Sequence, residues 1–380
     1  MNTDRFYFDW AATALPDYSL NVDDIPFGNP SSLHTEGKLA RKVLEDARSS
    51  CAQILGVPKD HLFFTSGGTE SNSIVLNSLL LRPGNAGLLL SSIEHPSVRE
   101  QGTIFKQMGK MIAWVNPNSS GHITPEQVQK SLDKFPDCRM LSIMWVNNET
   151  GAANDIPELV KVIRNRPGAP IHIHCDMVQG LGKIPCDIKS WDIDSASMSG
   201  HKIGAKRGIG MLYLKQKPRM LNTGGGQEQS IRPGTENLEG ILNLAEAMKK
   251  YVSVNAVKDH FESASQRWEI LIQALKHIDR AEIIPSCRTE HDPAFSPYIL
   301  QVSFKDIPGE VMTRALDNAG FAVSTGSACS AASKKRPVLD AMGISEKQAL
   351  EGIRISQGFS TSMEDIEKLI VAIQNITKIL

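Results

Sequence analysis

The chain has 380 residues, 41% of them hydrophobic, enough for a sizeable core in two domains or in one large domain with an appendage. Its 41 Lys and Arg against 42 Asp and Glu leave a formal net charge of -1, so charge gives no argument for direct nucleic-acid binding or for a charged tail. The polar start Met1-Asn2-Thr3-Asp4-Arg5 lacks the apolar run of a signal peptide, and stretches such as Gly87 to Leu90 and Tyr298 to Phe304 are too short to span a bilayer. A soluble, cytoplasmic protein with no membrane partner is expected.

After a strand-like start, a helix is predicted over 34–55, where Ala40, Val43, Leu44, Ala47, Cys51, Ile54 and Leu55 fall at helical spacing. Short apolar runs of strand type then recur over 61–65, 87–91, 111–115, 140–146, 171–175, 194–198 and 209–214. Helix-compatible segments lie between many of them, at 70–81, 97–108, 125–132 and 156–164. Strand and helix in alternation imply an α/β fold: a mostly parallel sheet covered on both faces. Two long helical segments, 239–252 and 257–278, end this region. Beyond them come strands around Ile283 and at 298–304, a helix at 309–318, strands at 321–325 and 352–356, and a last helix at 363–380. The expected organisation is a large αβα domain over 12–250 and a smaller α+β domain over 251–380 that also takes in residues 1–11.

The six cysteines, at positions 51, 138, 175, 186, 287 and 329, contain no C-x-x-C pair and suggest neither a disulfide framework nor a zinc site. In His172-Ile173-His174-Cys175 the two histidines would share a strand face, but no further ligand cluster has suitable spacing, so no metal is expected. Most of these thiols read as small buried apolar groups.

Parallel sheets place ligands at the carboxyl ends of their strands. Five successive predicted strands are followed by Ser66-Gly67-Gly68-Thr69-Glu70, Glu94-His95, Asn147-Asn148-Glu149, Asp176-Met177-Val178-Gln179 and Ser199-Gly200-His201-Lys202. Together they offer a phosphate cradle, a ring-stacking group, a carboxylate and a primary amine, which is what an aldehyde cofactor with a phosphate and a basic ring nitrogen requires. Gly67-Gly68-Thr69 would open a helix whose unpaired N–H groups face an anion, or would be a simple turn and cap. Asp176 would hold a pyridine nitrogen protonated, or would be an exposed cap. Lys202 would form an imine if its amine is neutral and pre-positioned. His95 would stack on a ring or move protons, or would be a buried structural histidine.

Taken in order, these segments resemble the class V aminotransferase family, and within it the NifS/IscS-type cysteine desulfurases. The resemblance spans nearly the whole chain. It is carried by 6–13, Gly28-Asn29-Pro30-Ser31-Ser32-Leu33-His34, 65–72, Glu94-His95-Pro96, 147–151, 176–179 and 199–202. Further on it is carried by Arg232-Pro233-Gly234-Thr235-Glu236-Asn237 and Ser324-Thr325-Gly326-Ser327-Ala328-Cys329-Ser330.

The resemblance implies a fold-type I homodimer with pyridoxal 5'-phosphate joined to Lys202. Gly68, Thr69, Ser199 and His201 would hold the phosphate, and Thr235 would reach the phosphate of the neighbouring subunit. His95 would stack on the ring, Asp176 pair with the ring nitrogen, and Gln179 bond the ring hydroxyl. Asn148 and Arg354 would bind the carboxylate of L-cysteine, a role that suits a planar guanidinium, although Arg354 taken alone could equally be a structural ion pair. Cys329, in a run of small residues ahead of Lys334-Lys335-Arg336, would attack the substrate sulfur. The products would be alanine and a persulfide, the latter handed to a sulfur-acceptor or iron–sulfur scaffold protein. Competing readings are a selenocysteine lyase, a cysteine or cystine C–S lyase or a transaminase on the same scaffold, and a non-catalytic binding protein.

The chain also departs from the family pattern. Trp10 stands where Asn or Tyr is more usual, and the stretch between Thr13 and Gly28 is short. A basic triplet follows Cys329, and Gln357-Gly358-Phe359 replaces a more usual Leu-Gly-Arg.

Overall fold

A computed structural model describes residues 5–20, 22, 24–326 and 335–380. Cys329 lies outside the described residues. The chain opens with β1 (Phe6–Tyr7) and α1 (Thr35–Leu55), followed by β2 (Leu62–Thr65), α2 (Gly68–Ser78), β3 (Gly87–Ser91), α3 (Pro96–Gln107) and β4 (Ile112–Val115). Next come α4 (Pro125–Lys134), β5 (Cys138–Met144), α5 (Ile156–Arg164), β6 (His172–Asp176), β7 (Ser195–Ser199) and β8 (Gly210–Leu214). The helices α6 (Leu238–Tyr251) and α7 (Val254–Lys276) lead to β9 (Ala281–Ile284), β10 (Ile299–Phe304), α8 (Gly309–Asn318) and β11 (Phe321–Ala322). The described chain ends with α9 (Pro337–Ala341), α10 (Glu346–Leu350), β12 (Gly352–Ser356) and α11 (Met363–Ile379).

The main sheet has seven strands in the order β2-β8-β7-β6-β5-β3-β4. Only β8 pairs antiparallel with its neighbours, so β2, β3, β5, β6 and β7 all end at the same edge. All five of these strands are buried except at Arg139 in β5 and His172 in β6, as expected of strands covered by helices on both faces. A second, antiparallel sheet has the order β12-β10-β9, and β1 pairs parallel with β11. Phe8 lies in the apolar cluster of Trp268, Leu300 and Ile353, which ties the chain's start to its last third.

Three local differences from the expected elements stand out. The apolar run 140–146 outlasts its strand, because after Met144 the chain turns back and Asn147 Oδ1 accepts from the amides of Glu149 and Thr150. The strand expected over 321–325 pairs with β1 only as far as Ala322, and Ser324 instead bridges Arg354. The short helices α9 and α10 carry too few turns to show a period in the sequence.

Two of the departures from the family pattern pack on each other. The Trp10 ring, 4% exposed, lies over Gly358 so closely that a Cβ there would sit 1.9 Å from it, and Trp10 meets Phe359 edge-on at 6.3 Å. Gln357 is buried as a tie, donating to Ala264 O and Pro297 O and accepting from Arg267 Nε.

Candidate active site

The shared strand edge opens into a cavity of about 540 Å³. Every site residue named from the sequence within the described part lines it, except Thr235: Gly68, Thr69, His95, Asn148, Asp176, Gln179, Ser199, His201, Lys202 and Arg354. Thr235 is exposed and away from this cavity.

The anion end is built by α2. Gly67, at φ +150, turns the chain from β2 into the helix, and no side chain caps the helix start. The first-turn amides have no partner within a helix, and here they open onto the cavity. By contrast α4 and α11 close their first turns with capping boxes. A Cβ on Gly68 would strike Val178 Cγ2 at 2.7 Å, so this glycine lets the chain that follows β6 approach the helix start. His201 bonds Thr13 Oγ1 at 3.1 Å; burial, and then the nearby Lys202, push its pKa down to about 4, leaving a neutral ring. A phosphate fits this end, where open amides, a hydroxyl and a neutral imidazole meet.

Asp176 ends β6 and is 4% exposed. Its Oδ1 accepts from Val178 N at 3.0 Å and its Oδ2 from Asn72 Nδ2 at 2.9 Å. Gln179 donates to Ala11 O at 2.8 Å and accepts from the buried Lys183, whose pKa burial lowers to about 7. Lys202 donates to the carbonyls of Ala11 at 2.5 Å and Ala12 at 2.6 Å. His95 caps α3 and accepts at Nδ1 from Ser97 N; burial lowers its pKa, against the pull of Asp176. A carboxylate, an amine and an imidazole around one cavity suit an aldehyde on a protonatable ring.

Arg354 Nη1 donates to Asn148 O and to Gly326 O, both at 2.9 Å, and Nη2 pairs with Asp9 Oδ1 at 2.7 Å. Its Nε has no partner among the described residues. The guanidinium is thus an ion pair with Asp9 whose Nε–H stays unpaired among the described residues. His172 and His174 engage Ser195 Oγ, each at 2.8 Å, and His174 also bonds Asn72.

The reading of residues from the sequence gave no role to Asn72, Asp9 or Lys183. Asn72 and Asp9 fall inside motifs quoted for the resemblance, which was the available signal. Lys183 had none. Glu94 belongs to a quoted motif too. It lines the cavity fully buried, and burial followed by Asp176 raises its pKa well above the usual range.

The aminotransferase class-V family model matches residues 6–369. A NifS/IcsS protein homolog of Lactobacillus delbrueckii is 35% identical, over 97% of this chain and 96% of its own length. A cysteine desulfurase IscS of Buchnera aphidicola is 32% identical, over 97% of this chain and 91% of its own. A solved NifS-like protein superposes with a TM-score of 0.89 at 30% identity, covering 99% of this chain and all of its own. With a mostly parallel α/β sheet of fold type I and relatives named NifS and IscS along its whole length, the chain belongs to the aminotransferase class-V family.

Proposed function

We propose that the chain is a cysteine desulfurase that holds pyridoxal 5'-phosphate on Lys202, converts L-cysteine to L-alanine, and captures the sulfur as a persulfide on Cys329. The observation that carries this reading is one cavity in which Lys202, Asp176 and the uncapped start of α2 converge. When bound, pyridoxal phosphate supplies an electron sink for bonds at the substrate's Cα and Cβ. The α2 amides, Thr69, Ser199 and His201 would hold the phosphate, Asp176 the ring nitrogen, Gln179 the ring hydroxyl, and His95 would stack on the ring.

Asn148 and Arg354 orient the substrate carboxylate, and Lys202 moves the Cα proton. The Cys329 thiolate attacks the substrate sulfur. An S–S bond forms, the Cβ–S bond breaks with its electron pair left on carbon, and carbon takes a proton to leave as alanine. Cysteine and an enzyme thiol thus become alanine and an enzyme persulfide. None of the five described cysteines lines the cavity, which supports giving this role to Cys329.

The same reading takes the protein as a cytoplasmic homodimer, in which the exposed Thr235 serves the partner's phosphate, and a sulfur-acceptor or iron–sulfur scaffold protein takes the persulfide. Among the described residues no helix is long and apolar enough to cross a membrane. The division into a large domain over 12–250 and a smaller one over 251–380 with 1–11 belongs to this reading as well.

Borohydride reduction of the yellow protein, followed by peptide mapping, tests the central claim. The label is expected on Lys202 and not on Lys183, the nearby buried amine with a lowered pKa, because Lys183 does not line the cavity. A label on any other residue, or none, sinks the reading.

Arg354→Lys is expected to raise KM for cysteine about tenfold to a hundredfold, the worth of a charge-assisted hydrogen bond that a point-like ammonium does not reproduce. Steady-state kinetics check this, with thermal melts to show that the variant is folded. An unchanged KM would leave Arg354 as a structural partner of Asp9.

A further inference from the structure

Asn72 stands at the junction of two parts of the cavity. Its Nδ2 donates to Asp176 Oδ2 at 2.9 Å and to Ser97 Oγ at 2.8 Å, and its Oδ1 is 2.9 Å from His174 Nε2. We propose that Asn72 is a positioning residue that fixes Asp176 and His95 relative to each other, and that the row His172, Ser195 and His174 behind it sets the orientation of its amide. The inference rests on the pyridoxal phosphate reading, in which Asp176 faces the ring nitrogen and His95 the ring.

The placement follows from strand periodicity. Residues 172, 174 and 176 alternate onto one face of β6, and α2 packs against β6 and β7. Two histidines and the carboxylate therefore share a row, and Asn72 reaches it from the helix above. Every member is buried apart from His172, Ser97 and His95, which are partly covered.

The direction of each bond follows from one fixed end. A carboxylate only accepts, so the amide nitrogen of Asn72 must face Asp176 and its oxygen must face His174. An amide oxygen only accepts as well, so His174 carries its proton on Nε2. Burial pushes the His174 pKa down to about 3, so the ring is neutral and Nδ1 accepts from the Ser195 hydroxyl at 2.8 Å. Ser195 Oγ then accepts from His172 Nε2 at 2.8 Å, and burial holds the His172 pKa down at about 4. Ser197 Oγ, 3.4 Å from His174 Nε2, is left as an acceptor there.

Toward the cavity the same logic reaches His95. Ser97 Oγ takes the second Asn72 N–H and directs its own proton to His95 Nδ1 at 2.9 Å, where the Ser97 amide also points at 3.1 Å. Nδ1 is therefore an acceptor, and neutral His95 holds its proton on Nε2. A buried network with every bond assigned has one arrangement, so neither Asp176 nor His95 is free to turn.

The test uses the full chain with ¹⁵N-labelled histidine, with and without pyridoxal phosphate, and signals assigned through single His→Gln variants. At neutral pH His95 and His174 are expected to show a protonated Nε2 and a bare Nδ1. Asn72→Ala is expected to release pyridoxal phosphate about tenfold to a hundredfold faster, as one hydrogen bond to a charged group is worth, and to mix the His174 tautomers. Should that variant fail to fold, Asn72→Asp has nearly the same volume. It keeps an acceptor for His174 but sets an acceptor against Asp176, so the His174 tautomer should persist while cofactor release still accelerates. A merely structural role predicts no such split. A proton on Nδ1 of either histidine in the wild type, or release at the wild-type rate in a folded variant, overturns the proposal. A wild type with the assigned tautomers that takes up no pyridoxal phosphate supports the network and sinks the functional reading instead.

Discussion

Replacing Cys329 with alanine is expected to leave pyridoxal phosphate content and absorbance unchanged while persulfide formation stops. Alanine release from cysteine should fall by about 10³-fold or more, the scale of losing a covalent nucleophile that no neighbour replaces. No described thiol is placed to substitute. Burial raises the pKa of Cys51 to about 12 and of Cys138 to about 11, and raises that of Cys175 as well, so these thiols stay protonated inside the fold. Measuring alanine and persulfide in the same reaction decides between readings. A C–S lyase on this scaffold needs no nucleophilic thiol and would go on releasing sulfur at the wild-type rate in Cys329→Ala.

Lys202→Ala is expected to be the more damaging change, because in the proposed function one amine would both anchor the cofactor and move the substrate's Cα proton. Loss of proton transfer alone is worth about 10²–10⁴-fold. Loss of covalent attachment adds free cofactor in the filtrate on dialysis and removes the borohydride-trapped peptide. The carbonyls of Ala11 and Ala12, to which Lys202 Nζ donates, would lose a donor at the cavity wall. Alanine formation and retained cofactor, measured on the same sample, check the prediction. A variant that keeps both would mean that another amine does the chemistry, and Lys183 would be the first to examine because burial already lowers its pKa to about 7.

The helix of α5 and the strand β12 stand at the residues their patterns predict, and most other elements shift by a few residues at their ends. Period and turn chemistry are local, so a single chain displays them. The same holds for the cavity wall. Parallel strands deliver whatever follows them to one edge, and 66–70, 94–95, 147–149, 176–179 and 199–202 could be read as one set before any strand order was known.

What a residue meets from another strand or helix was not legible. Asp9 and Arg354 pair across 345 positions, and Asn72 meets Asp176 across 104. The first pair depends on the chain after β1 lying beside β12, and the second on α2 covering the face of β6 and β7; hydrophobic period fixes neither. The pair His172 and His174 shows the difference most directly. Alternation in the sequence placed both rings on one face, but only the packed helix decided that His174 meets an amide leading to Asp176. The sequence by itself determined which chemistry reaches the edge of the sheet; the tertiary structure decided how each group is oriented there, because orientation is set by hydrogen-bond partners that are distant in the chain.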